Sequence, residues 1–106
     1  MRIYRGDTFK FDFSARFEDG SEYTFQIGDV VKAGIKLTVK NTEYVVLIEK
    51  TIEESTKQIT FVFSHEDMLN APIKQAILEV ELTDGDGVVS TLYQQPIEIV
   101  GDVINE

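Results

Sequence analysis

The chain has 106 residues, a mass of 12.0 kDa, no cysteine, and 10 Lys+Arg against 19 Asp+Glu, for a formal charge of −9. That length suits one domain, residues 1–106, with a core of its own. Absent cysteine excludes disulfides, thiolate metal ligands and cysteine nucleophiles, and the acidity argues against nucleic acid, whose binders carry a basic footprint.

Val, Ile and Thr number 31 and Phe and Tyr 11, against 10 Ala and Leu. β-branched and aromatic side chains suit a pleated, half-buried surface, so the composition leans to strands. Residues 8–17 alternate, with Phe9, Phe11, Phe13, Ala15 and Phe17 on one face and Lys10, Asp12, Ser14 and Arg16 on the other. Period two predicts a strand with one buried face. Asp19-Gly20 then signals a hairpin, with Tyr23, Phe25 and Ile27 pointing inward on the return strand. Gly28-Asp29 turns the chain again.

Val31, Ala33, Ile35, Leu37 and Val39 form a second alternation, opposed by Lys32, Gly34, Lys36, Thr38 and Lys40. Lysines at spacing four also fit a helix face, but the β-branched content and Gly34 favour a strand. Asn41-Thr42 makes a turn, residues 44–52 read as a strand, and residues 53–56 as a polar connection. Ile59, Phe61 and Phe63 mark the next strand. Ser64, three residues before Asp67, resembles a helix N-cap, and Asn70 and Pro72 limit the helix to one turn. Residues 76–83 resume strand character, Leu78, Val80 and Leu82 inward and Glu79 and Glu81 outward. Asp84-Gly85-Asp86-Gly87 is a tight turn into a last strand over residues 88–100. Pro96 cannot donate to a ladder, so it marks an edge or a bulge there. Residues 101–106 read as a tail. Seven or eight short strands predict an all-β sandwich or barrel.

The candidate sites are few. Lys32, Lys36 and Lys40 share one strand face, as lysines do on a guarded edge, and residues 91–99, with Tyr93 and Gln95, form the second suspected edge. Asp84 and Asp86 resemble a fragment of a calcium loop, yet an EF-hand from Asp84 has Val88 fifth, where a further acidic or amide ligand belongs, and Gln95 twelfth, where a Glu belongs. A different calcium geometry would recruit Glu81 or Asp102; a hairpin turn is the simpler expectation. Arg5-Gly6-Asp7 spells an integrin-type tripeptide but opens the first strand, where Gly6 serves a bend. His65, the single histidine, follows Ser64 in a segment that reads as a helix cap, not as a nucleophile relay. The phenylalanines fall on inward faces, so a sugar platform would rest on Tyr4, Tyr23, Tyr44 and Tyr93. A chain this short leaves little room for a substrate cleft. The expectation is a non-enzyme without cofactor or metal; a small carbohydrate- or calcium-binding adhesion module is the alternative.

Arg5-Gly6-Asp7-Thr8-Phe9-Lys10-Phe11-Asp12-Phe13 resembles the opening of small tail and baseplate structural proteins of bacteriophages and prophages of Gram-positive hosts. Asp19-Gly20, Asp29-Val30-Val31-Lys32-Ala33-Gly34-Ile35-Lys36 and Ser64-His65-Glu66-Asp67-Met68 agree in order with it. So do Leu82-Thr83-Asp84-Gly85-Asp86-Gly87-Val88-Val89-Ser90-Thr91 and Pro96-Ile97-Glu98-Ile99-Val100-Gly101-Asp102-Val103. The chain is similar to the N-terminal domain of upper baseplate proteins. That resemblance implies an antiparallel immunoglobulin-like β-sandwich used in tail assembly, with other tail or baseplate proteins, or further copies, as partners. Ending at Glu106, without a receptor-binding or coiled-coil extension, favours an accessory or assembly part. No run approaches the roughly 18 apolar residues of a membrane span, and Met1-Arg2-Ile3-Tyr4-Arg5 lacks a signal-peptide centre. A virion part assembled in a bacterial cytoplasm is the expected setting.

Overall fold

An alternating segment becomes a strand only where a neighbour takes up its backbone groups, and the choice of neighbour decides this fold. The computed structural model describes residues 1–38, 40 and 43–101. Its elements are β1 (Arg2–Tyr4), β2 (Phe9–Phe13), β3 (Val30–Lys36), β4 (Val46–Thr51), β5 (Ile59–Phe63), α1 (His65–Leu69), β6 (Gln75–Thr83) and β7 (Val89–Val100). A five-stranded sheet runs β1-β7-β6-β3-β4, and a two-stranded sheet joins β2 to β5. The protein is all-β with one short helix. Its larger sheet is mixed rather than antiparallel, because β1 pairs in parallel with β7, Ile3 opposite Ile99.

The expected hairpin after β2 does not form as a strand pair. Asp19-Gly20 does turn the chain, with Gly20 at φ 89° and its N–H on the Phe17 carbonyl. Residues 22–27, however, make only isolated bridges, Glu22 with Arg16 and Phe25 with Thr56. β2 pairs with β5 instead, setting Phe9 opposite Phe63 and Phe11 opposite Phe61. Cross-strand aromatic pairs stabilise a sheet more than a polar return strand does, so a distant partner displaces the local one. Phe25 is still fully buried, but Phe17 and Ile27, expected inward, are 57% and 70% exposed because the alternation outruns the strand.

The two sheets face each other across one core. Val31, Ala33 and Ile35 of β3, Leu78, Val80 and Leu82 of β6, and Ile97 and Ile99 of β7 come from the large sheet, and Ile59, Phe61 and Phe63 from β5. Val39, the Asn41-Thr42 turn and the tail from Asp102 onward lie outside the described residues.

The helix follows its local code. Ser64 Oγ accepts the Asp67 N–H at 3.1 Å and the Asp67 carboxylate accepts the Ser64 N–H at 2.9 Å, a complete capping box. Met68 is its buried residue and Asn70 closes it. Ser64→Ala is expected to cost about 1 kcal/mol, read as a lowered urea midpoint; an unchanged midpoint would deny the cap its role.

Candidate functional site

β3 is bonded on both sides, to β4 and to β6, so it is no edge. This corrects the expectation for Lys32, Lys36 and Lys40. Lys32 stands in register between Glu49 and Glu81, which accounts for a cation in mid-sheet. Lys36 is buried, and Lys40 lies exposed beyond the strand. The expectation for β7 stands in part. β1 covers Glu98 to Val100 only, so among the described strands residues 89–97 have β6 as their one partner.

Two local features shape that stretch. Between Val80 and Glu81 the register shifts, leaving Leu92 without an opposite residue, a β-bulge. The Glu98 N–H bonds the Met1 carbonyl while the Ile99 N–H bonds the Lys74 carbonyl. By alternation Pro96 turns its donor-less nitrogen away from β6, where no bond is lost. Tyr93 donates its hydroxyl hydrogen to Gln95 Oε1, and its ring meets Phe13 of the other sheet edge-on at 6.0 Å. Between β2 and β7 lies a recess of about 300 Å³ lined by Phe9, Phe11, Phe13, Leu78 and Tyr93 together with Asp12 and Ser14. An open groove of about 780 Å³ runs past Arg2, Leu37, Gln75, Ile77 and Pro96. There is thus more concave surface than the chain length suggested, and no buried side-chain polar atom among the described residues lacks a partner.

The outer face of the large sheet holds a feature that alternation alone did not reveal. Glu79, expected outward, is 2% exposed. Lys36 Nζ reaches its Oε1 at 2.9 Å, the Tyr44 hydroxyl donates to the same oxygen at 2.7 Å, and Gln94 Nε2 donates to Oε2 at 2.6 Å. Tyr44 covers the cluster because Gly34, beneath it, has no side chain: a Cβ there would lie 2.3 Å from Tyr44 Cδ1. Lys36 Nζ sits 4.8 Å from the centre of that ring.

Burial alone would raise the Glu79 pKa, but the hydrogen bonds from Gln94, Tyr44 and Lys36 and the lysine charge outweigh it and hold the carboxyl below its ordinary value. Burial, then the bond to Glu79 and the charges of Glu79 and Glu81, push the Tyr44 phenol well above the ordinary tyrosine range. With both oxygens of Glu79 engaged, the cluster ties β3, β6 and β7 together. A carboxyl whose folded pKa is lowered adds stability that is present above its unfolded value, near 4.5, and lost as pH falls through the folded one. Urea midpoints should therefore fall less below about pH 5 in a Lys36→Met/Glu79→Leu chain than in the natural one; equal slopes would remove Glu79 from the acid response.

The remaining candidates are tied into the fold. Asp84 Oδ1 accepts the N–H groups of Asp86 and Val88, both at 2.9 Å, and Gly87 has φ 83°, so Asp84 holds the β6–β7 turn. Among the described residues no group of three or more His, Asp or Glu is placed to hold a metal ion. Arg5 Nη2 donates to the Leu69 carbonyl at 3.1 Å, and His65 Nδ1 bonds the Gly6 carbonyl, so the Arg5-Gly6-Asp7 tripeptide is strapped to α1. His65 thereby faces Gly6, while Ser64 Oγ serves its own helix.

At one end of the barrel-like core the charge is uneven. Val30, Thr51, Thr83 and Val89 form one row across the sheet, which brings the loops before β3, after β4 and before β7 together. Residues 14–29, 52–58 and 83–89 carry Glu18, Asp19, Glu22, Asp29, Glu53, Glu54, Asp84 and Asp86 against Arg16 and Lys57. By sequence, residues 1–50 are neutral and residues 51–106 carry the whole −9; among the described residues the excess gathers in space at one end, drawn from both halves. Comparison with protein-family models, with curated proteins and with solved structures finds no match to this chain.

Proposed function

We propose that this chain is a structural, non-enzymatic protein of a bacteriophage or prophage tail or baseplate, an immunoglobulin-like β-sandwich that acts through protein–protein contacts. Its partners are other tail or baseplate proteins or further copies, and its setting is the virion, assembled in the host cytoplasm. The resemblance to upper baseplate proteins points that way. One observation carries the reading further: residues 89–97 of β7 have a single partner among the described strands and no charged side chain, in a chain of net charge −9. An uncharged strand edge lets another protein approach without opposing like charges, and strand addition uses the backbone groups left over. The bulge at Leu92 and the nitrogen of Pro96 confine such pairing to a short stretch and guard against open-ended stacking.

The test is light scattering on a sizing column, first with the chain alone and then with the products of neighbouring genes. A closed oligomer or a stoichiometric complex is expected. A chain that stays monomeric and co-elutes with none of them contradicts the reading.

A further inference from the structure

The acidic end carries more than charge. Val89, in the row across the sheet, and Phe17, Ile27 and Val88, in the loops that row brings together, are 58%, 57%, 70% and 56% exposed. Scattered exposed apolar residues are ordinary; these four are set among carboxylates at a single end. The Phe17 ring packs edge-on against Tyr23 at 5.9 Å, and Tyr23 in turn donates to Asp29 Oδ2 at 2.9 Å. Asp29, itself 2% exposed, also accepts the Gln26 N–H at 2.9 Å, which fixes the turn that carries Ile27. Asp19 Oδ1 accepts the Ser21 N–H at 2.9 Å, and Asp84 holds the turn before Val88 as described above. Each apolar residue is thus presented by a turn that an aspartate has already ordered, so little entropy remains to be lost on docking.

Among the described residues the opposite end is close to balanced, with Arg2, Arg5, Lys40 and Lys74 against Asp7, Glu43, Glu66, Asp67 and Glu98. Arg16 is already engaged, bonding Glu22 at 3.0 Å and the Gly20 carbonyl.

We infer that the end formed by residues 14–29, 52–58 and 83–89 is a docking face for a protein surface with an apolar centre and a basic rim. The carboxylates set partner sign and orientation, and Phe17, Ile27 and Val88 supply the area removed from water. Nucleic acid and anionic membranes meet repulsion at the same face. The inference goes beyond the assembly reading by naming a face and the chemistry of its partner, and it does not depend on that partner belonging to a tail.

The test is an amide chemical-shift titration of the full chain with three short synthetic peptides: alternating lysine and leucine, alternating lysine and serine, and alternating glutamate and leucine. The lysine–leucine peptide is expected to shift Phe17, Ile27, Val88 and their neighbours, to bind at least about tenfold more tightly than the lysine–serine peptide, and to weaken with salt. The glutamate–leucine peptide is expected not to bind. Phe17→Ser/Ile27→Ser, which alters exposed positions and no charge, is expected to lose about tenfold in affinity with its melting temperature kept. Shifts centred elsewhere, equal binding of the two lysine peptides, or undiminished binding by the variant would overturn the inference. A variant that still joins the natural complex with unchanged affinity overturns this face and leaves the assembly reading standing. A natural chain that binds the lysine–leucine peptide here but joins no neighbouring gene product does the reverse.

Discussion

Glu79→Ala is expected to lower the unfolding free energy by about 3–5 kcal/mol, because it leaves the Lys36 ammonium buried without its counter-charge. The Lys36 side chain is 10% exposed and that of Glu79 2%, so solvent cannot take over the lost bonds. Tyr44 and Gln94 lose their acceptor in the same step. Replacing both charges tells the pair from its parts. Lys36→Met/Glu79→Leu removes the desolvation cost along with the attraction, and is expected to be near neutral or more stable than the natural chain. Urea unfolding of the two single variants and the double one closes the cycle. A Glu79→Ala cost below about 1 kcal/mol would mean that the pair behaves as an exposed one.

Gly34→Ala is the second large effect expected, at about 1–3 kcal/mol or more. The added methyl would lie 2.3 Å and 2.8 Å from Tyr44 Cδ1 and Cε1 and 2.8 Å from the Val46 carbonyl oxygen. The ring can swing away only by giving up its bond to Glu79 and its place beside Lys36, and the carbonyl belongs to the β3–β4 ladder and cannot yield cheaply. Tyr44→Ala alone is also destabilising, since it opens the cluster to water. Adding Gly34→Ala to it should cost less than Gly34→Ala in the natural chain. Thermal unfolding of the four chains reads the coupling; strict additivity would show that Tyr44 does not sit over Gly34.

These two sites mark where the sequence was legible and where it was not. Period-two alternation correctly marked the inner residues of β3, β5 and β6, the spacing of Ser64 and Asp67 marked the cap, and Asp-Gly marked the turn after β6, because each depends on neighbours within a few residues. The partner of β2 was not legible, since pairing with β5 is settled by phenylalanines about fifty positions apart. The parallel addition of β1 and the central place of β3 are likewise long-range choices, and they removed the lysine edge. Alternation puts Glu79 on the correct face of its strand, but it does not tell a covered outer face from a wet one. The legible hint was Gly34 between two outward lysines: a missing side chain on a sheet face leaves room for a ring from the next segment. Phe17 and Ile27 were misplaced by extending an alternation past the point where a partner strand exists.

The acidic end and the uncharged edge of β7 adjoin at Val88 and Val89, so a partner seated on one touches the other. The account places contact there and not on the near-balanced end beside α1. Amide hydrogen exchange, measured on the chain alone and within a purified complex, tests this most directly. Slowed exchange in the complex is expected at residues 14–29 and 83–97, with residues 64–74 unchanged. Protection confined to the α1 end, or none in a complex of proven stoichiometry, would contradict it.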